Sequence, residues 1–383
     1  MPKKISILKC EDYNEANDKI EQAIELLGSI STFIKSGEKI LLKPNLLAAR
    51  SPEEAITTHP EIVRAAIRLV KKAGATPIVG DSPGGYLRDM KNLWRQTGMR
   101  DVCEQENVEL VSFEAVGARS VDIGDKNIRS VTFSNAVLDC NGIINLPKLK
   151  THSLMSFTCG VKNLYGTIPG LLKVEYHKHT SKTDEFSALL ANIYKFLASK
   201  IRLTIVDAVL AMDGNGPSGG NVKKLGFISA SPNTPEQDAY LLGLLGYDFT
   251  RHSLFKKLNI KKRDVQRAEI LPAPNEIKID NFKFPKTRIL DKCPKFLVKF
   301  LGKFLWIKPE INDRICRRCM ICGNTCPVRA IYVNRNNCLE VDKKRCISCF
   351  CCHEMCPYNA ITFKKSFLAK LFLRDDINAD NKN

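Results

Sequence analysis

Lys39-Ile-Leu-Leu-Lys-Pro-Asn45 opens the stretch that decides the fold. Its first four residues are a short, mostly apolar run and predict a buried strand. Pro60 then stands at the favoured first position of a helix, which Ile62 to Lys72 continue until Gly74. Thr76-Pro-Ile-Val79 predicts the next strand and ends in Gly80-Asp81. The same alternation extends both ways. Upstream, Ile5 to Leu8 reads as a strand. Glu15 to Leu27 reads as a helix, with Ile20, Ala23, Ile24 and Leu27 on one face and Gly28 stopping it. Downstream, Gly142 to Leu146, Leu203 to Val206 and Gly226 to Ser229 are buried-strand candidates. Glu185 to Ala198 and Pro235 to Leu245 are helical, and Val108 to Phe133 is strand-rich. This order predicts an α/β fold with a largely parallel sheet and helices on both faces, over residues 1–285.

The C-terminal quarter obeys a different rule. Cys316, Cys319, Cys322 and Cys326 are spaced C-x2-C-x2-C-x3-C before Pro327. Cys346, Cys349, Cys352 and Cys356 repeat the pattern thirty residues later, before Pro357. This is the run that holds [4Fe–4S] clusters in bacterial two-cluster ferredoxins, in which the fourth cysteine of each run serves the other cluster. Cys316, Cys319, Cys322 and Cys356 are therefore assigned to one cluster. Cys346, Cys349, Cys352 and Cys326 are assigned to the second. Pro327-Val-Arg-Ala330-Ile331 also matches Pro357-Tyr-Asn-Ala360-Ile361, so residues 311–365 predict a small α+β ferredoxin-like domain with an approximate two-fold. Zinc sites and disulfides are the bland alternatives. Zinc sites usually use two C-x2-C pairs rather than four-cysteine runs ending in Cys-Pro.

With 383 residues, 44% hydrophobic and 26% charged, the chain has the composition of a soluble globular protein of two domains. It shows no signal peptide and no apolar run long enough to span a membrane. A reducing, cytoplasmic setting is expected. The net charge is +18, and residues 286–383 hold 20 Lys+Arg against 9 Asp+Glu. That excess suits an acidic redox partner or an anionic small molecule, and no nucleic-acid motif accompanies it. Residues 286–310 form a basic linker. Within it Phe296 to Ile307 is amphipathic, which fits either a connector packed between domains or a helix in peripheral contact with a membrane. Residues 366–383 form a basic tail.

In α/β domains the working residues lie beyond the carboxyl ends of strands. Lys43 and Asn45 follow the second strand and Asp81 follows the third. Lys148, Lys150 and His152 follow the Gly142 strand, and Asp207 and Asp213 follow the Leu203 strand. Lys162 and Asn163 lie in a glycine-flanked polar segment. Each cluster taken singly also reads as turn chemistry. Together Lys43, Lys148, Lys150 and Lys162 predict an anion-binding cleft, because lysine is a poor turn residue and a good holder of phosphate or carboxylate. Gly214-Asn-Gly-Pro-Ser-Gly219 matches G-x-G-x-x-G literally. A strand and not a helix follows it, so it reads as a turn. His59, His177 and His179 are weaker candidates, the last two within a basic loop from Lys173 to Lys182.

Several of these stretches resemble the DUF362 family. They are Leu41-Leu-Lys-Pro-Asn45, Thr57-Thr-His-Pro-Glu61, Val79-Gly-Asp-Ser-Pro-Gly84, Leu146-Pro-Lys-Leu-Lys-Thr-His152, Gly160-Val-Lys-Asn-Leu-Tyr-Gly166 and Asp213-Gly-Asn-Gly-Pro217. Asp238 falls where the family tends to place an aspartate near a helix start. The resemblance implies an α/β fold and iron–sulfur clusters, and no particular reaction.

Three functions are compatible with these residues. The first is an oxidoreductase in which two [4Fe–4S] clusters exchange electrons with an anionic substrate or cofactor in the α/β cleft. There Lys43, Asn45, Lys148, Lys150, Lys162 and Asn163 would bind the anion. Asp81, Asp207 or Asp213 would handle protons, and His152 is the best general acid–base candidate. Because clusters move single electrons, a flavin or a second reduction would be needed for two-electron chemistry. The second is a ferredoxin-like carrier or assembly factor whose α/β domain docks a partner protein. The third is a non-redox enzyme with structural or regulatory clusters.

Overall fold

The computed structural model describes residues 3–84, 89–273, 277–285 and 306–367. Up to residue 285 its strands, in chain order, are β1 (Lys4–Lys9), β2 (Lys39–Pro44), β3 (Thr76–Asp81), β4 (Glu109–Ser112), β5 (Ala118–Asp122) and β6 (Ser130–Ser134), followed by β7 (Gly142–Leu146), β8 (Lys148–His152), β9 (Ser156–Thr158), β10 (Ile201–Asp213), β11 (Asn221–Ser231) and β12 (Glu269–Leu271). One ten-stranded sheet runs in the order β12-β1-β11-β10-β7-β2-β3-β4, with β8 paired to β10 and β9 paired to β8. The run β10-β7-β2-β3-β4 is parallel throughout. β11 is antiparallel to both its neighbours, so the sheet is mixed but mostly parallel.

Alternation along the strands shows that both faces are covered. Ile40 and Leu42 pack into one hydrophobic cluster with the helices Ala16–Leu27 and Pro60–Lys72. Leu41, one residue away, points into another, built around the helix Thr183–Leu197. Successive strand side chains take opposite faces, so a run apolar on every residue needs a layer on each side. The helix Pro60–Lys72 starts as its sequence dictates. His59 accepts the Glu61 amide at 3.2 Å through Nδ1, and Pro60 takes the first turn.

Two local expectations change and a third is met. Lys148 to His152 is not a loop after β7 but a strand of its own, β8, made possible because β10 is long enough to pair with both. Lys173 to Lys182 is not a solvated loop, since Leu172–His179 is a helix that buries Lys173 and His177. Gly214 to Gly219 does connect the antiparallel strands β10 and β11 as a turn.

The C-terminal residues form two small antiparallel sheets. β13 (Ile307–Ile311) pairs with β16 (Ile361–Lys365), and β14 (Ile331–Val333) pairs with β15 (Leu339–Val341). The internal repeat is visible in the backbone. Arg318, Met320 and Arg329 take φ of 53°, 61° and 49°, and Ser348, Phe350 and Asn359, thirty residues on, take 58°, 61° and 51°. Left-handed conformations at non-glycine residues are uncommon, and three in the same register twice mark a duplicated loop. The amphipathic stretch from Phe296 to Ile307 lies outside the described residues except for its last two positions, and the basic tail lies outside them beyond Phe367.

Candidate active site

The carboxyl ends of β2 and β3 meet the segment after β9 at a cleft that is partly open to solvent. Lys43, Asn45, Asp81, Lys150, Lys162 and Asn163 all border it. Lys43 and Asp81 form a buried ion pair of 2.7 Å. Lys43 also donates to the Pro44 carbonyl at 2.9 Å, and the second Asp81 oxygen accepts the Leu46 amide at 2.7 Å. Burial pulls the Lys43 pKa down, and Asp81 opposes that pull. Asp81 is thus the counter-ion of Lys43. Gly166 lies against the pair: a Cβ there would sit 2.6 Å from Lys43 Nζ and 2.7 Å from Asp81 Oδ1, so any larger residue would have to push the pair aside.

Lys150 is buried and donates only to neutral oxygens, Asn45 Oδ1 at 2.7 Å and the Ile56 carbonyl at 2.5 Å. Desolvation moves its pKa well down, and the neighbouring Lys162 adds to that. The Lys162 ammonium lies 6.0 Å from the Phe186 ring centroid and, among the described residues, pairs with no carboxylate. Lys173 donates to the carbonyl and hydroxyl of Ser82 at 2.7 and 2.6 Å, and desolvation lowers its pKa to about 7. Asn163 donates to the Lys43 and Pro44 carbonyls and to Asn145 Oδ1. Among the described residues its own Oδ1 is buried without a partner, as is Nδ1 of His177, another residue bordering the cleft.

The remaining wall comes from the cysteine-rich part. Thr325, Cys351, Glu354 and Met355 border the cleft, the last three from the helix Cys351–Met355. Glu354 Oε1 lies 2.8 Å from His152 Nε2, in contact but without hydrogen-bond angles. His152 Nδ1 accepts the Leu154 and Met155 amides at 3.1 and 3.2 Å, so the neutral ring carries its proton on Nε2, facing Glu354. Burial opposes the charge on Glu354, but His152 and Lys162 outweigh it and hold its pKa below the usual carboxylate range. Ser218 donates to the Glu354 carbonyl at 2.9 Å, and Gly219 admits His353, whose Nε2 would lie 2.9 Å from a Cβ there.

Lys148, His152, Asp207 and Asp213 do not border this cleft, although His152 lies against Glu354, which does. Lys148 and Asp207 are fully buried 2.7 Å apart. The three donors of the Lys148 ammonium go to Asp207, the Tyr13 hydroxyl at 3.0 Å and the Leu210 carbonyl at 2.9 Å. Asp207 also accepts the Tyr13 hydroxyl and the His59 amide, each at 2.9 Å. This network is complete without a ligand. Asp213 accepts the Lys283 amide at 3.2 Å and Asn221 at 3.4 Å, which ties down the end of β10. Asp238 accepts the Gly160 and Val161 amides at 2.9 and 2.8 Å and so anchors the segment that carries Lys162 and Asn163. His177 and His179 part company: the first is buried beside the cleft, and the second is exposed near Glu175.

Burial lowers the pKa of His59, His152 and His177 from 6.5 to about 4. Between those values the unfolded chain binds protons that the native state refuses, so stability falls as pH drops through that window. Each histidine contributes up to about 1.4 kcal/mol per pH unit. Urea-unfolding midpoints should decline from about pH 6.5 downward, before most carboxylates titrate. Midpoints that stay level to about pH 4.5 would show that these rings are not held neutral.

The cysteines gather at two smaller cavities. One, of about 300 Å³, is bordered by Cys316, Cys319, Cys322 and Cys356. The other, of about 310 Å³, is bordered by Cys326, Cys346, Cys349 and Cys352. Backbone amides point at sulfur in matching places: Ala330 at Cys326 and Ala360 at Cys356, both at 3.2 Å. Among the described residues no three His, Cys, Asp or Glu side chains converge tightly enough for a single metal ion.

Residues 40–242 match the family described as Domain of unknown function (DUF362). The chain is 30% identical over 292 residues, 75% of its length and 89% of the relative's, to the Thylakoid-associated protein sll1697 of Synechocystis sp. (strain ATCC 27184 / PCC 6803 / Kazusa). A more distant likeness is to the lactate racemase apoprotein from Thermoanaerobacterium thermosaccharolyticum, with 12% identity and a TM-score of 0.39 over 63% of this chain and 56% of that one. No helix among the described residues is long and apolar enough to cross a membrane.

Proposed function

The chain belongs to the DUF362 family, and we propose that it is an iron–sulfur oxidoreductase that exchanges electrons with a small anion held in the cleft. The observation that carries this reading is the shared wall: the helix Cys351–Met355 borders the cleft and supplies Cys352 to one four-cysteine cavity. Cys316, Cys319, Cys322 and Cys356 would hold one [4Fe–4S] cluster, and Cys326, Cys346, Cys349 and Cys352 the other. Soft thiol donors, four to a cavity, and amides directed at sulfur suit such a group. When bound, it supplies single-electron transfer.

The chain's own residues do the rest. Lys150 and Lys162 attract the anion, and low-dielectric surroundings strengthen that attraction. Asp81 keeps Lys43 ionised and in place. His152 holds a proton on Nε2 behind Glu354, and Glu354 borders the cleft, so a proton-coupled step there would reach the ring through that carboxylate. An acidic redox protein would meet the other end of the module. Arg317 and Tyr358 border the Cys316 cavity and are exposed, and Arg314, Ile315 and Arg318 are exposed close by in the chain.

Anaerobic purification with iron and sulfide assays on one sample tests the reading. About eight irons and matching sulfide per chain are expected. Zinc in their place would overturn it.

A further inference from the structure

The cleft has unused hydrogen-bonding capacity of two kinds. Lys162 disfavours the charge on Lys150, and Glu354 is the largest attraction acting on either ammonium. Neither has a carboxylate in ion-pair range among the described residues, whereas Lys43 has Asp81. An oxyanion between them would supply the missing charge. The other kind is an acceptor. Asn163 is 4% exposed, and among the described residues its Oδ1 has no partner. The amide cannot rotate to hide this, because its nitrogen is held by the Lys43 and Pro44 carbonyls and by Asn145 Oδ1 at 2.9 Å. His177 Nδ1, 6% exposed, is also unpartnered beside the same cleft. A ligand that brings only acceptors would leave the Asn163 oxygen buried and unsatisfied, which is unfavourable.

We propose that the cleft selects a small oxyanion that carries its own O–H or N–H donor, with Lys150 and Lys162 on the anionic oxygens and Asn163 Oδ1 receiving the donor. This deepens the reading of the cleft as an anion site and rests on it. The selectivity follows from pairing: the ammonium groups accept any oxyanion, and the amide oxygen separates those with a proton to give from those without.

Inorganic phosphate and sulfate are the probes. They match in shape and, above the second phosphate ionisation, in charge, but only phosphate retains an O–H. Calorimetric titration of the full chain, purified anaerobically, should show phosphate binding roughly tenfold or more tighter than sulfate. Lys162→Gln should weaken phosphate by about tenfold or more. Lys178→Gln, an exposed lysine on a neighbouring helix, should leave it unchanged. Sulfate bound as tightly as phosphate would overturn the role of Asn163. Unchanged affinity in Lys162→Gln, or no phosphate binding to the wild type, would overturn the site. Iron measured on the same sample separates the two ideas. Iron without anion selectivity leaves the electron-transfer reading standing and this inference fallen, and anion selectivity without iron does the reverse.

Discussion

Asp207→Ala should destabilise the protein by about 3–5 kcal/mol, among the largest effects of any single substitution in the α/β domain. The reason is the ammonium left behind. Lys148 is fully buried, and Asp207, 2.7 Å away, is its only carboxylate partner among the described residues. Without Asp207, Lys148 must either stay charged in a low-dielectric site or release its proton. At pH 7, release from a side chain of ordinary pKa costs about 4.6 kcal/mol, which sets a ceiling on the electrostatic loss. Tyr13 and the His59 amide also lose their acceptor. The sign with pH is diagnostic. In the variant the folded lysine has a depressed pKa, so above it the unfolded state binds more protons and stability rises with pH until the ordinary lysine value is passed. Denaturant unfolding near neutrality and near pH 10 should therefore show the variant recovering. Adding Lys148→Met should restore much of the loss, because no charge is then stranded. A single variant within about 1 kcal/mol of wild type would mean that the network is not holding a charged lysine.

The second large effect follows from the cysteine assignment. Cys346→Ala and Cys316→Ala should each remove about four of the irons proposed above and loosen the C-terminal module, since metal binding and folding are linked. The two variants should differ in their consequences for the cleft. Cys346 borders the same cavity as Cys349 and Cys352, which flank Cys351. Cys316 borders the other cavity, where Cys319 is exposed. Cys346→Ala should therefore weaken anion binding more than Cys316→Ala. Iron content that stays near eight in either variant would sink the ligand sets.

The fold was largely legible because its signals are local. The strand Gly142–Leu146 and the helix Pro60–Lys72 fall where apolar runs and a first-turn proline put them. The site was legible only in part. Lys43, Lys150 and Lys162 carry their signal in their residue type, since a lysine after a buried strand needs an explanation. Lys148 carries the same signal and answers it differently, because its counter-ion lies 59 residues away in the chain and cannot be foreseen from spacing. Lys173 looked like one lysine among several in a basic run, and only tertiary packing buries it. Glu354 left a trace that a closer comparison of the two cysteine runs would have found. Where the first run reads Ile321, Gly323, Asn324 and Thr325, the second reads Cys351, His353, Glu354 and Met355. The cysteine positions are identical and these intervening ones are not. Of these four residues in the second run, Cys351, Glu354 and Met355 border the cleft and His353 lies against Gly219.

That five-residue helix has a practical consequence for how the protein is handled. It gives Cys352 to one cavity and is followed at once by Cys356, which belongs to the other, while Cys351, Glu354 and Met355 close the cleft. The cleft is therefore a seam between two parts of the chain, not a property of the larger one. A fragment ending before residue 306 would keep the lysines but lose a wall and the carboxylate that His152 faces. Screening such a fragment for ligands would sample an open trough, and compounds found there would say little about what the whole protein selects.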